Sequence, residues 1–284
     1  GGLSKKTLNI ALAGTGVGKS LFMCHVAGSV LNQGKNVLYI TMEMAEERIA
    51  ERIDANLLNL TMDELKVIDR DIFENRISKI SNKTQGKLII KEYPTAGAHT
   101  GHFRALLEEL KMKREFKPDI IFIDYLNICA SQRMKQSANV NSYTYVKAIA
   151  EEIRGLAVEY NVPIVSATQT TRSGFTNSDP GLGDTSESFG LPATADFMFA
   201  LVSNEELEGL NQIIVKQLKN RYNDPSFYKR FVIGIDRAKM KLYDVEASAQ
   251  TGLADAGQDD DEPVFDKSTF GRRQRTESFE GFKF

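Results

Sequence analysis

The sequence predicts an α/β fold: a mostly parallel, twisted sheet with helices on both faces and a β-rich C-terminal edge. Three observations carry this expectation. An apolar run, Leu8 to Leu12, passes through a glycine-rich loop into an apolar-periodic run from Leu21 to Val30, which reads as strand, loop, helix. Short apolar runs then alternate with amphipathic helical patterns as far as about residue 170. Beyond Ala195, strand-like runs follow one another with little helix between them.

The first unit carries the strongest chemical signal. Its loop reads Ala13-Gly14-Thr15-Gly16-Val17-Gly18-Lys19-Ser20, the pattern of a phosphate-binding P-loop with Ala where the strict motif has its first Gly. Glycines let successive backbone N–H groups point into one concavity that holds phosphate oxygens. The following helix adds its free N–H groups and positive dipole end. Lys19 is placed to neutralise β- and γ-phosphates, and the Ser20 hydroxyl to ligate Mg²⁺.

Composition narrows the class. The 284 residues suffice for a sizeable core in one large domain or two small ones. No apolar run is long enough to span a bilayer, and no signal-peptide pattern is present. Residue 1 is Gly rather than Met, so the chain reads as a fragment from which an N-terminal domain is absent. Cys24 and Cys129 sit far apart in apolar surroundings, as reduced core cysteines do. His99 and His102 form an H-x-x-H with no Cys or carboxylate cluster, which fits a polar loop or helix start better than a metal site. Residues 247–284 hold eight Asp/Glu against five Lys/Arg, which leaves the rest of the chain near neutral. Bulk charge therefore neither advertises nucleic-acid binding nor excludes a local basic loop.

The remaining elements follow in order. Gly34 suits a left-handed helix C-cap. Residues 36–41 read as a buried strand and 45–60 as a helix, with Glu43 just past the strand end. There it would either polarise an attacking water or serve as a helix N-terminal carboxylate. Residues 61–86 read as mixed and helical, 87–93 as a strand, and 102–116 as an amphipathic helix with a solvated charged face. Ile120 to Ile123 are β-formers ending in Asp124, the form of a Walker B strand whose Asp holds Mg²⁺ largely through water; the alternative is a strand-end cap. A polar loop, 127–142, carries Arg133 and Lys135, and 143–160 reads as a helix. The strand at 164–168 ends in Gln169, which would sense a γ-phosphate or be an ordinary polar strand end. Residues 173–195 read as a long irregular loop, which a compact domain seldom keeps without a use. Strands follow at 195–202, 212–218, 228–236 and 240–245, the last two antiparallel at the sheet edge. Lys219-Asn220-Arg221, taken alone, reads as a solvated strand end. Residues 1–246 form the folded body; 247–284 read as a disordered tail whose Phe side chains either anchor a partner or are inert. No N-K-x-D follows the Walker B strand, which argues against a GTPase switch.

Taken together, A-x-x-x-x-G-K-S (13–20), T-M-E-M (41–44), F-I-D-Y-L (122–126), S-A-T-Q (166–169), D-T-S-E-S (184–188) with Ala195-Asp196, and K-N-R (219–221) come in the order seen in hexameric DnaB-type replicative DNA helicases. Over residues 1–246 the chain resembles the C-terminal motor domain of T4-like phage members of that family. The resemblance implies a RecA-like P-loop NTPase that binds ATP or GTP with Mg²⁺, works as a hexameric ring on single-stranded DNA, and meets a primase and a helicase loader. It implies that Glu43 activates water and that Gln169 couples γ-phosphate state to the loop after it. It implies that Lys219 and Arg221 reach the neighbouring subunit's nucleotide. The loops 127–142 and 170–195 would line the channel, with Arg133, Lys135 and Arg172 as phosphate contacts. Few aromatics lie there, so backbone tracking by charge is expected rather than base stacking. A phage protein in the host cytoplasm is the implied setting. Open filaments would instead mark a RecA-type recombinase, and a DNA-indifferent ATPase would mark a regulator of protein partners.

Overall fold

A computed structural model describes residues 2–83, 86–135, 140–170, 180–185, 190–224 and 227–250. The described residues form one sheet of nine strands: β1 (Leu8–Ala13), β2 (Val37–Thr41), β3 (Leu88–Glu92), β4 (Ile120–Asp124), β5 (Ile164–Gln169), β6 (Phe197–Val202), β7 (Gln212–Asn220), β8 (Arg230–Asp236) and β9 (Lys241–Asp244). They lie in the order β3-β2-β4-β5-β1-β6-β7-β8-β9. All pairings from β3 to β6 are parallel, and those from β6 to β9 antiparallel. The expected parallel sheet with a β-rich edge is therefore what forms.

The α-helices among the described residues are α1 (Lys19–Asn32), α2 (Glu46–Leu58), α3 (Met62–Val67), α4 (Arg70–Lys83), α5 (Thr100–Arg114), α6 (Ser142–Tyr160), α7 (Gly190–Thr194) and α8 (Glu205–Gly209). Central strands are apolar on both faces because helices cover both, the signature of a doubly wound sheet. Alternation then sorts side chains: Leu38, Ile40, Ile121 and Ile123 meet α5 and α6, whereas Val37, Tyr39, Ile120 and Phe122 meet the α1 side. Gly34 follows α1 at φ 76°, the left-handed conformation expected of it.

Three local readings are corrected. The expected loop 173–195 contains a short 3₁₀ turn, Leu182–Asp184, and α7; its residues 171–179 and 186–189 lie outside the described part. Gly190 and Pro192 disguise α7, yet both sit in its first turn, where Pro is tolerated. The helix α8 went unread because it is only five residues long, although Asn204 caps it by accepting the Leu207 N–H at 2.8 Å. The helix α5 starts two residues before His102, since His99 Nδ1 accepts the Gly101 N–H at 3.0 Å and His102 Nδ1 accepts the His99 N–H at 3.2 Å. The H-x-x-H is thus a helix cap. No helix among the described residues is long and apolar enough to cross a membrane.

One carboxylate on α2 gives a pH signature. Burial, with Glu51 adding, pushes the partly buried Asp54 up from 3.8 to about 6. The folded state therefore holds this proton where the unfolded chain has lost it. The group's contribution to stability is complete below about pH 4 and is lost as pH rises through about 6. An Asp54→Asn chain is expected to show a higher urea midpoint than the parent at pH 7.5, with the difference closing by pH 4. An equal gap at both pH values would contradict this.

Candidate nucleotide site

Strand order reverses at β1: the chain leaves β1 toward β2 on one side, and leaves β5 to reach β6 on the other. Such a switch point opens a crevice at the carboxyl ends of the strands. Register brings those ends level, with Ala13 beside Gln169 and Thr41 beside Asp124. The P-loop, Glu43, Asp124 and Gln169 therefore share one edge.

The loop is built as a cradle. Gly16 and Gly18 adopt φ 81° and 122°, a region that L side chains rarely enter. Lys19 is 8% exposed, and its Nζ donates to the Ala13 and Gly14 carbonyls at 3.4 and 3.3 Å. The Val17 N–H turns inward to the same Gly14 carbonyl at 3.4 Å. A cation and an N–H group that share one carbonyl are donors a phosphate oxygen can take over. Burial lowers the Lys19 pKa, while Glu43 and Asp124 oppose the shift.

Asp124 is fully buried. Burial, with Glu43 adding, pushes its pKa up to about 6; the Ser20 hydroxyl, the Tyr39 hydrogen bond and Arg52 pull it back. The Tyr39 hydroxyl donates to Oδ2 at 3.0 Å, whereas Oδ1 is buried without a hydrogen-bond partner. An orphaned carboxylate oxygen beside a serine hydroxyl fits a hard, oxygen-seeking cation such as Mg²⁺. Tyr39 was not legible as a site residue, because its tie to Asp124 is made across the β2–β4 pair. Its ring stacks on Phe122 at 5.6 Å, which fixes the hydroxyl. Tyr39→Phe is expected to weaken Mn²⁺ binding by the protein–nucleotide complex at least about 10-fold, the usual effect of losing a ligand's supporting hydrogen bond. Unchanged Mn²⁺ affinity by paramagnetic resonance would refute the role.

Glu43 is exposed just beyond β2, where Thr41 Oγ1 donates to the Met44 carbonyl at 2.8 Å and accepts the Met44 N–H at 3.1 Å, folding the strand end over. Gln169 Nε2 donates to the Tyr125 hydroxyl at 3.3 Å. Lys219 and Arg221 lie elsewhere. Asn220 pairs with Phe197, which pairs with Asn9 near the start of β1, so this segment is at the sheet edge opposite the P-loop. Lys219 Nζ donates to the Pro192 and Ala193 carbonyls. Burial lowers its pKa, as do Arg221 and Arg154, against the pull of Asp196. Arg221 pairs with the fully buried Asp196 at 2.7 Å; Arg154 holds both oxygens of the same carboxylate, its Nε donating to Oδ2 at 3.0 Å and its Nη2 to Oδ1 at 3.1 Å. The Leu8 N–H also donates to it.

Of the predicted loop cations, Arg133 spends its guanidinium on Glu151, Glu152 and the Ala148 carbonyl of α6. Lys135 is exposed at the last described position before residue 136, and Arg172 lies outside the described residues. Sequence reasoning also missed Arg237, whose Nη1 donates to the Gly16 carbonyl at 3.1 Å.

Fold and site define a P-loop nucleotide-binding domain of the RecA-like class. The model of the DnaB-like helicase C-terminal domain matches residues 1–225, and the chain belongs to that family. It is 46% identical to the DnaB-like replicative helicase of Enterobacteria phage T4 over 249 residues, 87% of this chain and 52% of that protein. It is 28% identical to the replicative DNA helicase DnaB of Helicobacter pylori strain 26695, across 70% of this chain and 40% of that one. The chain thus spans about half the length, or less, of these relatives. Among solved structures, one described as an ATPase domain superimposes with a TM-score of 0.71 at 20% identity, covering 86% of each chain. A DnaB-like replicative helicase described with its interactions with primase gives 0.69 at 18%, covering 86% of this chain and 59% of that one.

Proposed function

We propose that this domain is the motor of a replicative DNA helicase, which hydrolyses ATP or GTP to move along single-stranded DNA as a six-membered ring. The observation that carries the reading is the split of charge across the sheet. Lys19, Ser20, Glu43, Asp124 and Gln169 gather at the carboxyl edge, while Lys219 and Arg221 stand at the opposite edge. The latter two are remote from their own P-loop, so a role at a nucleotide requires a neighbour's site.

In this reading the P-loop N–H groups and Lys19 hold the β- and γ-phosphates. Ser20 and, through water, Asp124 would hold Mg²⁺, which when bound neutralises phosphate charge. Glu43 orients the attacking water and accepts its proton, and Gln169 links γ-phosphate state to the segment beyond β5. A neighbour's Lys219 and Arg221 stabilise charge developing in transfer, so hydrolysis depends on assembly. The segments 127–142 and 170–195 face DNA in the channel, Lys135 and Arg172 meeting phosphates and Arg133 holding its loop to α6, and the complementary strand is excluded from the ring. Family kinship extends the proposal to a primase and a helicase loader as partners, in the cytoplasm of a phage-infected bacterium.

The test is unwinding of a forked duplex by the chain with ATP or GTP, alongside electron microscopy on single-stranded DNA. Closed rings and displaced strand support the reading. Open helical filaments with strand exchange would replace it with a recombinase, and no DNA binding would leave a regulatory ATPase.

A further inference from the structure

The hairpin between β8 and β9 reaches the P-loop from a direction that none of the sequence motifs covers. Asp236 closes its turn by accepting the Lys239 N–H at 3.0 Å, and this aims the intervening Arg237 at the loop. There Nη1 donates to the Gly16 carbonyl, Nη2 lies 3.9 Å from Glu208 on α8, and the side chain is 43% exposed. Ile235, from the same strand, lies 3.4 Å from the position a Cβ on Gly18 would take, and Arg237 Nη1 lies 3.9 Å from it. The hairpin therefore braces both glycines that carry the loop's unusual backbone conformations.

We propose that Arg237 is a positioning residue for the nucleotide, acting through the Gly16–Val17 peptide. In a planar trans peptide the C=O and the following N–H point in opposite directions. Pulling the Gly16 oxygen outward onto Arg237 therefore turns the Val17 N–H inward, where it now meets the Gly14 carbonyl. That N–H belongs to the phosphate cradle. A glycine at Gly16 leaves this peptide free to rotate, and the guanidinium selects the orientation that binds. The inference rests on the nucleotide-site reading above and adds a residue to it. Arg237 stands 221 positions from its partner in the chain, outside every motif quoted for the family resemblance.

The experiment compares the parent chain with Arg237→Ala, Arg237→Lys and Lys19→Ala. Equilibrium binding of a fluorescent ATP analogue, kcat and KM, and melting midpoints are measured for each. A charge-assisted hydrogen bond that orders a binding loop is worth about a 10-fold change in affinity. Arg237→Ala is therefore expected to raise Kd and KM about 10-fold with kcat within about 2-fold, the pattern of lost uniform binding. Arg237→Lys, which keeps a cationic donor, is expected to recover to within about 3-fold of the parent, with all melting midpoints alike. Parental Kd in Arg237→Ala, while Lys19→Ala loses binding, would overturn the role of Arg237 alone. So would an affinity loss that follows a lowered melting midpoint and is not rescued by Lys. A parent chain that binds no nucleotide would overturn the site reading and this inference together.

Discussion

A Lys19→Ala chain is expected to release phosphate from ATP or GTP only at the background rate, and to bind the nucleotide about 100-fold more weakly or worse. The side chain is the cation at the centre of the carboxyl edge, nearly buried between the Ala13 and Gly14 carbonyls. Its charge is held against desolvation by Glu43 and Asp124. Removing it leaves Glu43 and Asp124 with no positive charge on the loop beside them, so a bound phosphate would meet repulsion in place of attraction. Fluorescent-nucleotide titration and phosphate release read both effects. Turnover within about tenfold of the parent would contradict the assignment.

The second large effect belongs to Arg221. Arg221→Ala is expected to lower hydrolysis by about 10³-fold or more, the effect of removing an arginine supplied in trans, while leaving nucleotide affinity unchanged. Its pairing with Asp196 within the chain invites a purely structural explanation. Arg154 and the Leu8 N–H remain on that carboxylate when Arg221 is gone, so a buried unpaired charge is not created. The melting midpoint is expected to hold. Mixing separates the alternatives. Lys19→Ala subunits carry an intact Arg221 and Arg221→Ala subunits carry an intact P-loop, so a mixture of two inactive proteins should regain turnover. A mixture as inactive as its components, or full turnover by Arg221→Ala alone, would rule out action in trans.

The parts of the site read directly from the sequence are those whose chemistry is local in the chain. Gly16, Gly18, Lys19 and Ser20 form a contiguous pattern, and Asp124 ends a run of β-formers. Glu43 and Gln169 were legible as strand ends, because the carboxyl edge of a parallel sheet is where ligands bind. What sequence could not show were pairings between distant segments. Tyr39 reads as one more strand aromatic until its hydroxyl is found on Asp124, 85 residues away. Arg237 reads as a turn residue until the hairpin folds over the P-loop. Arg133 is the converse case, since a loop cation looks available until α6 brings up Glu151 and Glu152. The fold was legible for a related reason: hydrophobic period is a local signal that the central strands carry strongly. The helices α7 and α8 escaped because five residues cannot display a 3.6-residue period, and for α8 the Asn204 cap carried the trace.

The measurement that bears most directly on the interface-sited motor is NTP hydrolysis at a series of protein concentrations, with and without single-stranded DNA. If each site is completed by a neighbour and driven by a strand in the channel, as proposed, turnover per subunit should rise steeply with concentration and increase again with DNA. Turnover per subunit that is constant across concentration and indifferent to DNA would contradict it.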